Sequence, residues 1–159
     1  MPSKAKKQIV RGGFKKSALT FFSAADVAQA ASLSELQQTW LRKSERHEKH
    51  GWIYLHIEGE PRERGFQYGY LLAKEVAESI RVQRRLWEYQ SATEWSWLIE
   101  KGKAFTSSKV DAESLAEIDG MVEGLQAAGV ASSRDEMIVY NACFELAWYW
   151  WPQEKKKIG

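Results

Sequence analysis

The stretch from Gly59 to Gly69 constrains the fold of this chain most strongly. It reads Gly-Glu-Pro-Arg-Glu-Arg-Gly-Phe-Gln-Tyr-Gly, with a strand-like pattern before it and a helical pattern after it. Pro61 suits the first turn of a helix, where no backbone donor is needed. Gly65 and Gly69, however, each cost a helix roughly 0.5–1 kcal/mol relative to alanine. Because they lie four residues apart on one helical face, we predict that another backbone approaches closely there.

Apolar residues at helical spacing predict four or five helices along the chain. The helix after Pro61 has Leu72, Val76 and Ile80 as its expected buried stripe, and a later helix repeats the four-residue glycine spacing at Gly120 and Gly124. The predicted helical ranges are 33 to about 49 after a capping box at 32–35, 61 to about 89, 93–105, 111–128, and 133 to a stop at Pro152.

The sequence shows one clear strand, at residues 52–58. Ile53, Leu55 and Ile57 alternate with Trp52 and other residues, so the strand has one fully apolar face. A single strand cannot form a stable sheet. The chain is therefore either a helical domain with one extended segment, or it pairs this strand with strands of another polypeptide.

Charge is distributed unevenly along the chain. Residues 1–16 carry six Lys/Arg and no acid, whereas residues 17–154 carry 14 basic and 21 acidic residues. We interpret residues 1–16 as a basic flexible arm and residues 17–159 as the folded part. Such an arm can contact nucleic acid or a membrane surface, but a solvated arm is the preferred interpretation, and we expect no nucleic-acid partner.

Cysteine content and hydropathy bear on the compartment. Cys143 is the only cysteine, so the chain can form no internal disulfide, which fits a reducing compartment. We expect a cytoplasmic protein, with a secreted or periplasmic location left open. No apolar run approaches the roughly 20 residues of a membrane-spanning helix, so no transmembrane segment is expected.

No complete catalytic constellation is present in the sequence. His47, His50 and His56 do not form a metal-ligand pattern, and phosphate-loop and Cys-x-x-Cys motifs are absent, so neither a metal nor a cofactor is expected. Cys143 lies in a largely apolar stretch, where a buried, inert thiol is the preferred interpretation. Asn141 shares a helical face with Glu145 among aromatic residues, which suggests the lining of a pocket.

Tryptophan is unusually abundant, with eight residues in 159. Three of them lie in the run Trp148-Tyr149-Trp150-Trp151-Pro152. A small domain seldom buries so many, so this end suggests a partner surface or a ligand-pocket wall. A helix buried in the core of its own domain is an equally acceptable interpretation.

Three segments together resemble one protein family. Residues 55–73, with the pattern Leu-x-x-x-Gly-x-Pro-x-Glu-Arg-Gly-Phe-Gln-x-Gly-x-Leu-Leu-Ala, are similar to the opening motif of the N-terminal-nucleophile hydrolases related to isopenicillin-N acyltransferase and the phospholipase B-like proteins. Residues 115–125 and 135–145 are similar to its second and third motifs, in the same order. The resemblance covers about residues 51–150. Its first motif contains Gly59, Glu63, Arg64, Gly65, Gln67 and Gly69.

The resemblance implies a self-cleaved precursor of two chains. This chain would be the small, mainly helical subunit of an α+β protein, and it would donate its strand to an αββα sandwich completed by the larger chain. Gly159 would be the cleavage position. The nucleophile, usually cysteine in that family, would then be the first residue of the larger chain, so this chain would hold no catalytic residue and Cys143 would not react.

The implied chemistry is acyl transfer from an amide or ester, to water or to an amine acceptor. The substrate would be a small acyl amide or a lipid, and oligomers beyond the two-chain unit remain open. Glu63, Arg64 and Gln67 are expected to hold the strand-to-helix turn rather than to touch substrate. The residues expected to line the substrate pocket are Asn141, Glu145, Tyr149 and Trp150.

The alternative is a non-enzymatic helical binding module. Its Trp-rich C-terminal helix would dock a partner, and its basic arm would contact an acidic surface. The two hypotheses differ in whether the gene continues past Gly159 with a nucleophilic residue.

Overall fold

A computed structural model describes residues 33–158, and over that range the chain is a mostly helical α+β fold with one small sheet. The basic arm at 1–16, the first part of the range 17–159 and Gly159 lie outside the described residues. Within the described range no helix is long and apolar enough to cross a membrane.

Ten helices and strands follow one another in the described range. Two further turns, a 3-10 turn at Ser107–Lys109 and a π-helical turn at Leu146–Trp150, lie between them. The elements are α1 Glu35–Leu41, β1 Glu45–Lys49, β2 Trp52–His56, α2 Pro61–Leu71, α3 Ala73–Ser91, α4 Trp95–Thr106, α5 Ala112–Ala127, α6 Arg134–Asn141, α7 Cys143–Glu145 and α8 Trp151–Ile158.

The first predicted helix is much shorter than expected. The capping box forms between Ser34 and Gln37, two residues later than predicted: the Gln37 N–H donates to Ser34 Oγ at 3.2 Å and the Ser34 N–H donates to Gln37 Oε1 at 2.9 Å. The helix ends at Leu41 instead of continuing to residue 49. Only Trp40 is buried in it, so there is no apolar stripe to extend the helix.

Residues 45–49 instead form a β-hairpin with 52–56, so the prediction of a lone strand is wrong. The strands are antiparallel, and their register pairs Glu45 with His56 and Lys49 with Trp52. His50 and Gly51 both have positive φ, 54° and 81°. Two such residues make the two-residue turn whose twist matches that of the flanking strands. The strand therefore has a partner within its own chain.

The predicted close approach at Gly65 and Gly69 is confirmed, and its partner is the second glycine pair, Gly120 and Gly124. All four glycines are buried, and at each one a Cβ would overlap a backbone carbonyl of the opposite helix, so α2 and α5 touch backbone to backbone. The carbonyls that would be overlapped are those of Glu117, Met121, Arg62 and Phe66, respectively.

The long helix predicted after Pro61 is divided at Leu72. Pro61 occupies the start of α2 as predicted. Leu72 has φ −113° and ψ 21°, which separates α2 from α3. Val76 and Ile80 of α3 are buried as predicted, in a core shared with α5 and α6. A second core, built from Trp87, Trp95, Leu98, Val139 and Leu146, joins α3, α4 and the C-terminal segment, residues 134–158.

The C-terminal segment continues past Pro152, so the predicted stop there is wrong. The Trp151 N–H donates to the Leu146 carbonyl, five residues earlier, which closes the π-helical turn. Pro152 is then the second residue of α8. Pro152 has no N–H to donate, and it directly follows the π-helical turn, where the regular α-helical hydrogen-bond pattern is already interrupted.

We predict that Gly65→Ala lowers the free energy of unfolding by about 3 kcal/mol, because its methyl group would force the two backbones apart. Gly51→Ala is the control. Its φ is positive but nothing lies within 4 Å of the added Cβ, so a loss of only about 1 kcal/mol is expected. Chemical denaturation of both variants measures the difference. Equal losses would mean that backbone contact at Gly65 does not determine stability.

Candidate functional site

Gln67 holds the junction between the hairpin and α2. Its side chain is fully buried. Its Nε2 donates to the carbonyls of Trp40 and Glu58 at 2.8 and 2.9 Å, and its Oε1 accepts from the Glu58 N–H at 2.9 Å. One amide thus fixes the end of α1, the segment after β2 and the first turns of α2.

Arg64 and Glu63 stabilise the same junction through contacts at its surface. Arg64 donates to the Gly59 carbonyl at 2.9 Å and forms ion pairs with Glu113 and Glu117 of α5 at 3.1 Å each. Glu63 pairs with Lys43 at 3.1 Å. Gly59 has a φ of 114°, a backbone angle that residues with a side chain rarely adopt. The polar residues of the first motif are therefore engaged in contacts within the chain.

Charged residues of the second motif are also paired across helices. Glu123 accepts from Arg62 at 2.9 Å and from Gln37 at 2.8 Å, and Asp119 pairs with Arg134. The two carboxylates therefore connect α5 to α1, α2 and α6. Sequence reasoning missed these pairs, because each joins residues from separate helices.

A groove lies between α4, α5 and the C-terminal segment, and three of the four predicted pocket residues line it. Its two connected lobes have volumes of about 450 and 410 Å³. Asn141 lines the first lobe, Tyr149 the second, and Glu145 both. Trp150 does not line either lobe; it packs against Trp97, with ring centroids 5.9 Å apart.

The floor of the groove is largely apolar, and its walls include residues that sequence reasoning did not single out. These come from the end of α4, the following turn and one face of α5, and although three of them lie in the second motif, nothing in the sequence assigns them to a pocket. They are Phe105, Thr106, Lys109, Val110, Ser114, Glu117, Ile118 and Met121.

Two residues of the groove have hydrogen-bond acceptors that receive no donor from residues 33–158. Asn141 uses its Nδ2 to donate to the Met137 carbonyl at 2.8 Å, which leaves its Oδ1 as an acceptor. Glu145 forms neither an ion pair nor a side-chain hydrogen bond within residues 33–158, whereas Glu117 is held by Arg64. The Lys109 ammonium lies 3.3 Å from the centroid of the Phe105 ring. The arrangement suits a partly apolar ligand that carries N–H donors.

Cys143 is half-buried rather than fully buried, and it faces away from this groove into a separate cavity. Burial, and secondarily the charge of Glu145, raise the pKa of the Cys143 thiol. A thiol with a raised pKa is a poor nucleophile at neutral pH.

The histidines lie on the hairpin or its turn, away from the groove. His47 stacks on Tyr54, with ring centroids 5.1 Å apart, and all three histidine residues are exposed. In the described part of the chain no group of three or more His, Cys, Asp or Glu residues is arranged to hold a metal ion.

The aromatic side chains of the Trp-rich end lie in two different environments. Trp151 packs edge-on against Trp87, with centroids 5.2 Å apart. Phe144, Trp148 and Tyr149 are instead 68%, 73% and 72% exposed. The buried interpretation therefore holds for Trp151, whereas a partner surface or a ligand-pocket wall stays a prediction for the exposed rings.

Comparison with protein-family models, with curated proteins and with solved structures finds no match to this chain.

We predict that Gln67→Leu lowers the free energy of unfolding by about 3 kcal/mol, because it leaves several partly buried backbone groups without partners. Gln153→Leu, on the exposed surface of α8, is the control and should change stability little. Chemical denaturation measures both, and amide exchange at Glu58 should accelerate in the Gln67 variant alone. An unchanged unfolding midpoint for Gln67→Leu would contradict the proposed role of this amide.

We also predict that Cys143 alkylates slowly at neutral pH. Because burial raises its pKa, the thiolate forms at higher pH than in an ordinary cysteine, whose pKa is about 8.5. Mass spectrometry of the Cys143 peptide after iodoacetamide treatment across pH measures the midpoint, with glutathione in the same tube as reference. A midpoint at or below that of glutathione would show an activated thiol instead.

Proposed function

We propose that this chain is the small subunit of a self-processed N-terminal-nucleophile hydrolase that cleaves or transfers acyl groups at an amide or ester bond. The observation that carries the proposal is the contact between two of the resembling segments. Gly65 and Gly69 of the first pack directly on Gly120 and Gly124 of the second. Segments that resemble one family in sequence order thus also form one structural unit, which a chance likeness would not require.

The hairpin supports a role for a second chain. Within the described residues the sheet has only two strands, and such a hairpin is marginally stable in water by itself. Trp52, Ile53 and Tyr54 of β2 are exposed. Addition of this hairpin to the sheet of the larger chain, in an αββα sandwich, would pair a free strand edge and cover these side chains.

We place the reaction at the N-terminal residue of the larger chain, which is usually cysteine in the family that this chain resembles. Its α-amino group, with a reference pKa of about 7.7–8.0, accepts the thiol proton. The thiolate forms a bond to the carbonyl carbon, and the leaving amine or alkoxide departs with that proton. Water, or an amine acceptor, then attacks the thioester and releases the acyl group and the thiol.

The groove provides the contribution of this chain to substrate binding. Its apolar floor suits an acyl chain or an aromatic ring. Glu145 and the Oδ1 of Asn141 can accept hydrogen bonds from the amide N–H or amine of an acylated amino compound, and Tyr149 covers the second lobe. We propose small acyl amides first, and lysophospholipids second, as substrates.

Self-processing is tested by mutation of the residue that follows Gly159 in the gene product. The unmodified gene is expected to give two non-covalently bound chains that hydrolyse at least one member of a panel of N-acyl amides, acylated amino compounds and lysophospholipids. Alanine at the position after Gly159 should leave one uncut and inactive chain, because the nucleophile is gone. Gln153→Ala, an exposed residue near the junction, is the control and should be cut normally.

Intact mass spectrometry reads the chain number, and product release reads the activity. Continued cleavage of the alanine variant, or a gene that ends at Gly159, would refute the proposal.

A binding module is the second candidate, and the exposure of Phe144, Trp148 and Tyr149 favours it. Exposed aromatic side chains that cluster on one segment are typical of a docking surface. This candidate expects a single uncut chain from the unmodified gene and no activity on the substrate panel, so the same experiment separates the two.

A further inference from the structure

We propose that β1 pairs with β1 of a second copy of this chain, so that the two hairpins form one four-stranded antiparallel sheet. The contact uses the outer edge of β1, which is the edge that faces away from β2. A two-fold axis at His47 relates the two copies. Because the outer edge of β2 stays free for another chain, the inference does not depend on the proposed acyl-transfer function.

The hairpin is held to the helices by few polar contacts, and β1 is open to solvent. In the described part of the chain the side chains of the two strands form one hydrogen bond to a helix, from Arg46 to Glu75 at 2.8 Å. The side chains of Glu45, His47 and Glu48 are 74%, 55% and 63% exposed. A second strand can therefore approach β1 from solvent.

The outer edge of β1 has backbone groups that are ready to pair. Hydrogen-bonded residue pairs alternate along an antiparallel ladder, and the two-residue turn makes Lys49 and Trp52 one such pair. The N–H and C=O groups of Arg46 and Glu48 therefore point away from β2. Within residues 33–158 they have no hydrogen-bond partner, since the sheet has no third strand there.

The charges of β1 make the strand complementary to a reversed copy of itself. Its sequence, Glu45-Arg46-His47-Glu48-Lys49, has the signs negative, positive, neutral, negative and positive when histidine is neutral. Read from the other end, each of the four charged positions has the opposite sign. Antiparallel pairing centred on His47 thus places Glu45 opposite Lys49 of the second copy. It also places Arg46 opposite Glu48 of the second copy.

The same charges select this register and this partner. The outward groups can bond only to outward groups of the other strand, so the two-fold axis lies at a residue and not between two residues. An axis at Arg46 would place two arginines opposite each other, and an axis at Glu48 would place two glutamates opposite each other. Like charges at facing positions destabilise a strand pair, and charged edges prevent pairing with most other strands. A second copy is the partner that fits.

Sedimentation equilibrium of the purified gene product tests the proposal, because it measures how many copies of this chain each particle contains. We expect reversible association into particles with two copies, with a dissociation constant below ~1 mM, since five paired residues make a small interface. Counting copies of this chain gives the answer whether or not a larger chain is bound to each copy, so the result is separate from that of the self-processing test.

Two single variants and their mixture test the register. Glu45→Lys and Lys49→Glu each create two like-charged facing pairs, so each should raise the dissociation constant about tenfold. In the mixture, one strand carries lysine at both positions and the other carries glutamate at both. Every facing pair is then opposite in charge, so the mixture should associate about as tightly as the unmodified protein. Glu100→Lys, exposed on α4, is the matched control for charge and should associate normally.

Circular dichroism confirms that each variant is folded. No association of the unmodified protein up to about 1 mM would overturn the proposal. Particles that grow beyond two copies would also overturn it, because a two-fold contact between β1 edges is closed. Association that survives both single substitutions would place the interface elsewhere on the chain, and a mixture that fails to associate would overturn the register.

Discussion

The backbone contact between α2 and α5 is the constraint on which the rest of the described structure depends. Because no side chain separates the helices at their glycine pairs, the charged residues that flank the contact lie within reach of one another. Arg62 meets Glu123 at 2.9 Å and Arg64 meets Glu117 at 3.1 Å. Exposed pairs of this kind contribute little stability singly. The glycine contact fixes the rotation of the two helices, and hence the direction in which the hairpin leaves α2, and the ion pairs follow from that geometry.

Gln67 connects the helix pair to the hairpin. Gln67 lies between two of the residues in the glycine contact, so its side chain can only point toward the other face of α2, where it binds the backbone of Trp40 and Glu58. A polar side chain that is fully buried is tolerated because its amide oxygen and nitrogen both have partners. The glycine spacing and the buried glutamine in the first motif thus serve one purpose, the placement of a strand against a helix pair.

Sequence reasoning identified the close approach but not its partner, since spacing on one helix reveals a groove and not what fills it. It missed β1 because residues 45–49 are mostly charged and lack an alternating apolar face, and because His50-Gly51 is a weaker turn signal than Asn-Gly. Helical spacing places Asn141 and Glu145 together, whereas Tyr149 was predicted from the aromatic run. Trp150 was not separable from them, because the π-helical turn at Leu146–Trp150 changes the angle between successive side chains.

The Trp-rich end borders both the groove and the cavity. Trp151 belongs to the second core, and its contacts with Trp87 and Trp97 hold the segment against α3 and α4. Tyr149 and Trp148, adjacent in sequence, project to opposite openings, the first at the groove and the second at the cavity.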